Sequence, residues 1–193
     1  MNILWLLSLT AAVVSAAPTN TLACDVSHVK VAAATLPAQQ APTKYIAFGA
    51  GVQKYVCGSD GKYASNGASA ILFDISCTYN PKTGDYSLGR VLGRHYFITN
   101  PVTGTGLSPK WDFSLSIPSG NNFVVGAAQA NIPAPTGSSD VNWLYLTPIQ
   151  GSLAAEIYRT DTDGGQPPAS VSRARCYLFR LTNDSTVQPW PGD

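Results

Sequence analysis

Two carboxylates are the first side chains in this sequence that could carry out chemistry. Asp74 and Glu156 each interrupt a short, otherwise apolar run, where a carboxylate is costly unless it is paired, hydrogen-bonded or open to solvent. Two such groups can hydrolyse a glycosidic bond, one as general acid and the other as nucleophile or base. The sequence therefore names Asp74 and Glu156 as catalytic candidates. A salt bridge to Arg90 or Arg159, or an outward-facing strand position, is the alternative interpretation.

His95 is the third catalytic candidate, because the chain has only two histidines, His28 and His95. It lies in a strand-like segment between Arg94 and Tyr96, which could form a polar face with it. The sequence has no Gly-x-Ser-x-Gly motif that would supply a nucleophile for a histidine base. A hydrogen-bonded structural histidine is the alternative interpretation.

Two aromatic side chains are candidates for ligand binding. Trp111 and Tyr79 lie beside turn-forming residues, and an exposed aromatic face can stack on a sugar ring. Packing in the core or on the surface is the alternative for both. Asn183 begins an Asn-Asp-Ser sequence, which predicts an N-glycosylation site at the surface.

Four cysteines, Cys24, Cys57, Cys77 and Cys176, predict two disulfides. They are separated by 33, 20 and 99 positions, which does not fit the paired spacing of a zinc site. We therefore expect no metal. Four cysteines permit three pairings, all of which stay open, and we favour Cys24–Cys77 with Cys57–Cys176.

The beginning of the chain has the features of a secretory signal peptide. An uncharged apolar run leads into small residues at positions 15–17, and it is too short for a membrane span of about 20 residues. The chain has a formal net charge of +1, and 12% of its residues are charged, with no basic patch for nucleic acid or anionic lipid. We expect a secreted protein with neither nucleic-acid nor membrane partners and with no organic cofactor.

The elements that must position these side chains are predicted to be strands. Short β-branched and aromatic runs alternate with clusters of Gly, Pro, Asn and Asp. No long stretch has apolar residues at helical spacing without Gly or Pro. We predict an all-β, single-domain antiparallel sandwich or barrel with minor helix. Its organisation would be a signal peptide over 1–17, a wrapping segment over 18–44 and a β-rich domain over 45–193. The predicted strands are Tyr45–Phe48, Val52–Cys57, Ala70–Cys77, Arg90–Ile98, Phe113–Ile117, Phe123–Ala128, Trp143–Leu146, Ala154–Arg159 and Arg175–Leu181.

Four blocks of the sequence resemble one protein family. They are Gly49–Cys57, Gly67–Cys77, Trp143–Leu146 and Ile157–Pro168. In this order they are similar to the secreted fungal and bacterial proteins grouped as domain of unknown function 3455. Members of that family are often labelled malate dehydrogenase, and the resemblance implies no established catalytic residue.

The residues do not support a nicotinamide-dependent dehydrogenase. Gly49-Ala50-Gly51 lacks the third glycine of a dinucleotide-binding turn, and no helical sequence follows it. We instead expect a non-enzymatic binding or interaction protein at the fungal cell surface, the cell wall or the host interface. Its partner would be a polysaccharide or a host or cell-wall protein. The alternatives are an extracellular polysaccharide hydrolase that uses Asp74 and Glu156, and a structural component of the cell wall.

Overall fold

The chain folds into one antiparallel sheet. The computed structural model describes residues 24–31, 35–117 and 120–167 and the backbone of 181–182. The strands are β1 Ala47–Cys57, β2 Tyr63–Asp74, β3 Val91–Thr99, β4 Leu107–Asp112, β5 Phe123–Ile132, β6 Trp143–Gly151, β7 Ile157–Arg159 and β8 Leu181–Thr182. Their order in the sheet is β7-β6-β5-β4-β3-β2-β1-β8, so strands β1 to β7 form an up-and-down meander.

The sheet curls into a half-barrel, which brings its two sides towards each other. The Tyr55 hydroxyl on β1 donates a 2.7 Å hydrogen bond to the carbonyl of Gly165, in the loop that follows β7. These residues are 110 positions apart and six strands apart in the sheet. One face of the sheet is therefore concave and encloses an interior.

The register of the strands defines which side chains enter this interior. Residues directly opposite each other on antiparallel strands point to the same face, and the pairs Gly51–Ala70, Ala70–His95, His95–Trp111 and Trp111–Val124 follow one row across five strands. The row places small residues on β1 and β2 and large rings on β3 and β4. This asymmetry makes room for the His95 and Trp111 rings.

One end of the half-barrel is filled by an apolar core. Buried residues from the ends of several strands and from the loops beside them form a single cluster, and partly buried rings pack around it. The buried members are Leu72, Leu92, Phe113, Val124 and Leu153, and the surrounding residues include Tyr45, Trp111, Ile117 and Ile157. We call this the closed end.

The N-terminal segment packs on the outer, convex face. Trp143 and Tyr145 alternate along β6 with the inward-facing Leu144 and Leu146, and Leu36 covers them in a second apolar cluster. The chain then runs past β7, where the Tyr158 hydroxyl donates to the carbonyl of Pro37. Residues 36–44 therefore tie the β7 side of the sheet to the beginning of β1.

The predicted all-β antiparallel fold is confirmed, and of the two predicted architectures the protein adopts the barrel-like one. The part of the chain that the structure describes contains no helix, and so none there that is long and apolar enough to cross a membrane. The two predicted strands Tyr45–Phe48 and Val52–Cys57 are one strand, β1, with a register shift between Gln53 and Tyr55.

The prediction of a strand at Phe113–Ile117 is wrong. The amides of Ser116 and Ile117 both donate to the carbonyl of Phe113, and the amide of Ser114 donates to the Asp112 carboxylate. These bonds form a tight turn. The strand lies just before it, as β4, and its Pro109 is compatible with a strand because only β3 pairs with that part of β4.

Disulfides fix the closed end and β1. Cys24 is bonded to Cys77, as predicted, which ties the N-terminal segment to the turn after β2. Cys57, at the end of β1, is also disulfide-bonded. Its predicted partner Cys176 lies outside the described residues, as do the predicted signal peptide, the Asn183 glycosylation site and most of the predicted strand Arg175–Leu181.

Candidate functional site

A gap in the sheet lies between β4 and β5 at the end opposite the apolar core. The two strands pair only through Lys110–Asp112 and Phe123–Val125. Beyond that point β4 stays with β3 back to Leu107, whereas β5 stays with β6 as far as Ile132. Because the two hairpins diverge, they leave a pocket of about 340 Å³ at what we call the open end.

The pocket is mainly apolar. It is in the lower part of the size range of small-molecule sites, about 300–1,000 Å³. Its walls come from β3, β4, β5 and β6, and the lining residues are Phe97, Asn100, Leu107, Ser108, Pro109, Gly126, Ala127, Ala128, Leu144 and Leu146. Leu107 at the rim is 48% exposed, so an apolar surface is accessible at the entrance.

Three aromatic rings lie at or beside the pocket. Phe97 lines the pocket and contacts His95 edge-on at 5.5 Å, and the His95 and Trp111 rings lie 4.7 Å apart and nearly parallel. A Cβ atom at Gly126, another lining residue, would lie 3.3 Å from both the Trp111 ring and the Leu146 side chain. A larger residue at this position would therefore crowd Trp111 and Leu146.

His95 is held in one neutral tautomer. Its Nδ1 lies 3.0 Å from the carbonyl oxygen of Lys110, and since a carbonyl only accepts, Nδ1 carries the proton and Nε2 has a lone pair. The pKa of His95 is lowered to about 4, mainly by burial and to a smaller extent by the positive charge of Arg159, against the hydrogen bond to Lys110. The imidazole is therefore uncharged at neutral pH.

Arg159 places a positive charge in the interior at the open end. It lies directly across from Leu144, a pocket residue, and two positions after the core residue Ile157. Its Nε and Nη2 donate to the carbonyl of Asn142 at 3.0 and 2.6 Å. Burial lowers the pKa of Arg159, and the interaction with Tyr55 partly offsets this lowering. A guanidinium nevertheless remains charged at neutral pH.

Two tyrosines lie on β1 and β2 near the same end. The Tyr55 and Tyr63 rings meet edge-on at 6.2 Å. Burial raises the pKa of Tyr55, and the positive charge of Arg159 partly opposes this effect. Because Tyr55 on β1 and Arg159 on β7 are close enough to interact, the two strands face each other across the interior. The Tyr63 hydroxyl is buried without a hydrogen-bond partner among the described residues.

Comparison with known proteins identifies the family. The model of the family described as Protein of unknown function (DUF3455) matches residues 37–177. The chain belongs to this family. No curated protein and no solved structure matches this DUF3455 protein significantly.

The two candidate carboxylates of this DUF3455 protein have separate structural partners. Asp74 accepts a hydrogen bond from the amide of Ser76 and lies 4.0 Å from Arg90 Nε. Glu156 accepts hydrogen bonds from the amides of Gln40 and Ala41. The described residues show no partner shared by the two carboxylates.

The aromatic candidates differ in position. Trp111 lies beside Gly126, a residue of the pocket lining, and stacks on His95. The amide of Tyr79 closes a turn onto Ile75 after β2. Tyr79 is therefore at the opposite end of the sheet from the pocket. Across the described ranges no group of three potential metal-ligating side chains is found.

His95 and Trp111 are candidates from the sequence, but their stacking is not evident there. Arg159 is predicted from the sequence only as a possible partner of a carboxylate, and the pocket residues Phe97 and Leu144 are not predicted as site residues. A signal for Arg159 was present, because it lies two residues after the apolar Ile157 and so on the same face of a strand. The pocket residues gave no signal, because the gap depends on how two hairpins diverge.

Proposed function

We propose that this DUF3455 protein is a secreted, non-enzymatic binding protein that holds a small molecule with an apolar body at the open end of its half-barrel. The observation that carries the proposal is the pocket between β4 and β5, with its mainly apolar walls that include the Phe97 ring. An apolar pocket with few polar groups is the usual form of a small-molecule site. The mouth of a barrel is a usual place for one.

The arrangement favours a compact ligand over a long polysaccharide. A sugar chain is bound on exposed, flat aromatic faces, whereas Trp111 is partly buried and stacks on His95. The pocket is instead a partly open cleft between two hairpins. This refines the expectation from the sequence, in which a polysaccharide was one of the partners.

The positions of the carboxylates support binding over hydrolysis. A glycosidase needs two carboxyl groups at a single bond, about 5–10 Å apart. Here Glu156 holds the N-terminal segment and Asp74 belongs to the turn after β2. Neither carboxylate lines the pocket.

Secretion rests on the sequence of residues 1–17 and on disulfide usage. The Cys24–Cys77 bond is compatible with an oxidising compartment. Mass spectrometry of the exported protein should find a mature chain that begins after Ala17. An exported chain that retains residues 1–17 would contradict this part of the proposal.

Binding can be tested with the neutral fluorophore N-phenyl-1-naphthylamine, which becomes bright in apolar surroundings. Wild-type protein should give saturable fluorescence. Ala128→Phe should reduce its affinity at least about tenfold, because Ala128 is an exposed residue of the pocket wall and the ring would occupy the space. The matched control is Ala64→Phe on β2, also exposed and absent from the pocket lining. Equal binding by all three proteins, or no binding to the wild type, would refute the proposed function.

A further inference from the structure

The interior contains a cation, Arg159, for which the described residues show no counter-ion. In the same part of the chain, Arg90 lies 4.0 Å from Asp74 and Lys110 lies 3.0 Å from Asp112. A partly buried charge is costly to desolvate and is stabilised by a partner of opposite charge. A negatively charged ligand could be such a partner for Arg159.

The geometry of the guanidinium shows which of its edges is available. Arginine has five N–H groups, and Asn142 accepts from two of them, on Nε and Nη2. That contact occupies one edge of the planar group and fixes its orientation. The remaining N–H groups on Nη1 and Nη2 form the end-on fork that matches the two oxygens of a carboxylate.

Arg159 is the cross-strand neighbour of a pocket residue. Arg159 pairs directly with Leu144 across β6 and β7, and cross-strand neighbours have Cβ atoms about 5 Å apart. Leu144 lines the pocket. One molecule with a charged head and an apolar body can therefore contact both features.

We propose that the ligand is an apolar monocarboxylate, whose carboxylate binds the end-on fork of Arg159 and whose apolar body occupies the pocket between β4 and β5. This proposal rests on the proposed function and adds the chemical class of the ligand. The nearby His95 is neutral and adds no second positive charge. Recognition of the head group thus depends on Arg159.

The test compares decanoate with decanol, which have the same chain length and differ in charge. Each is used near neutral pH to displace N-phenyl-1-naphthylamine from the wild-type protein. We expect decanoate to bind about 10- to 100-fold more tightly, the contribution of a charge-assisted hydrogen-bonded pair. Arg159→Gln should remove that preference and leave the affinity for decanol nearly unchanged.

Two further variants separate this role from a structural one. Arg94→Gln removes a positive charge from the exposed residue that precedes His95 and should leave the preference intact. Arg159→Lys keeps the charge but loses the fork, so a reduced preference for decanoate should remain. Circular dichroism monitors folding. If Arg159→Gln does not fold, the role of Arg159 is decided by the preference for decanoate over decanol in the wild type and in Arg159→Lys.

The possible results distinguish the two proposals. Equal affinity of the wild type for decanoate and decanol, with both displacing the fluorophore, would overturn the carboxylate proposal and leave the binding function intact. A preference for decanoate that persists in Arg159→Gln would also overturn it. If neither compound displaces a fluorophore that binds, the carboxylate proposal fails; if the fluorophore does not bind, the proposed function fails as well.

Discussion

At the scale of single residues, His95 shows how the surroundings determine protonation. Its pKa is lowered to about 4 by burial and by the charge of Arg159, against an ordinary value of about 6.5. In an NMR titration the imidazole should remain in the Nδ1–H form down to about pH 4. Arg159→Gln should raise the pKa of His95, because it removes a positive charge. A pKa near 6.5 in the wild type would contradict this account.

The same residue makes folding stability depend on pH. The folded pKa of His95 lies below the unfolded value, so its contribution is complete above about pH 6.5 and is lost as the pH falls towards 4. A shift of this size corresponds to about 3 kcal/mol at most. Urea unfolding of the wild type should show this loss between pH 7 and pH 4.5. The loss should be smaller in His95→Gln, and an equal loss in both proteins would refute the assignment.

The sequence identified some residues of the site and not their arrangement. His95 and Trp111 were found because their residue types are rare and chemically distinctive. Their contact follows from the register of β3 against β4, which no local pattern records. Arg159 was interpreted as an ion-pair partner because sequence alone does not show that its neighbours across the interior are Tyr55 and His95.

At the scale of the elements, alternation of apolar residues predicted most strands, and it failed where polar side chains bond to the backbone. The segment Phe113–Ile117 alternates like a strand, yet the Asp112 carboxylate accepts the amide of Ser114 and begins a turn. Leu107–Asp112 contains Pro109 and resembles a loop, yet it forms β4. Both errors come from reading side-chain periodicity without the hydrogen bonds of the backbone.

Close approach of β3 and β4 requires a glycine. A Cβ atom at Gly93 would overlap the backbone oxygen of Asp112, so Gly93→Ala should destabilise the protein by about 1–3 kcal/mol. The comparison is Gly84→Ala, in a loop with φ of 78° and nothing within 4 Å of the added carbon, which should cost only about 1 kcal/mol. Equal thermal stabilities of the two variants would contradict the register of β3 and β4.

The strap formed by residues 36–44 depends on Glu156. Its carboxylate accepts hydrogen bonds from the amides of Gln40 and Ala41 at 2.9 and 2.6 Å. Glu156→Ala should reduce stability by about 1–3 kcal/mol and increase proteolysis within the strap. Asp85→Ala, at an exposed loop position, is the control and should behave like the wild type. A stable Glu156→Ala variant that lost polysaccharide hydrolysis would instead support the catalytic alternative.

At the scale of the whole molecule, contacts other than the hydrogen bonds between neighbouring strands keep the half-barrel curled. The bond from Tyr55 to Gly165 joins the two sides at the open end, and the strap joins them at the closed end. The pocket lies between these connections, in a part of the sheet where two hairpins are free to diverge. The binding that we propose at the open end would therefore depend on a closed end that stays folded without a ligand.

The Cys24–Cys77 disulfide secures that closed end, since it links the chain before the strap to the turn after β2. It closes a loop with a sequence separation of 53, for which the loss of unfolded-chain entropy gives about 4 kcal/mol at most. We expect the double variant Cys24→Ser/Cys77→Ser to unfold at a lower urea concentration, with a loss of about 2–4 kcal/mol. Fluorophore binding should persist while the variant is folded, because the bond lies at the opposite end from the pocket. A variant as stable as the wild type, or one that folds but no longer binds the fluorophore, would show that the two ends are not organised in this way.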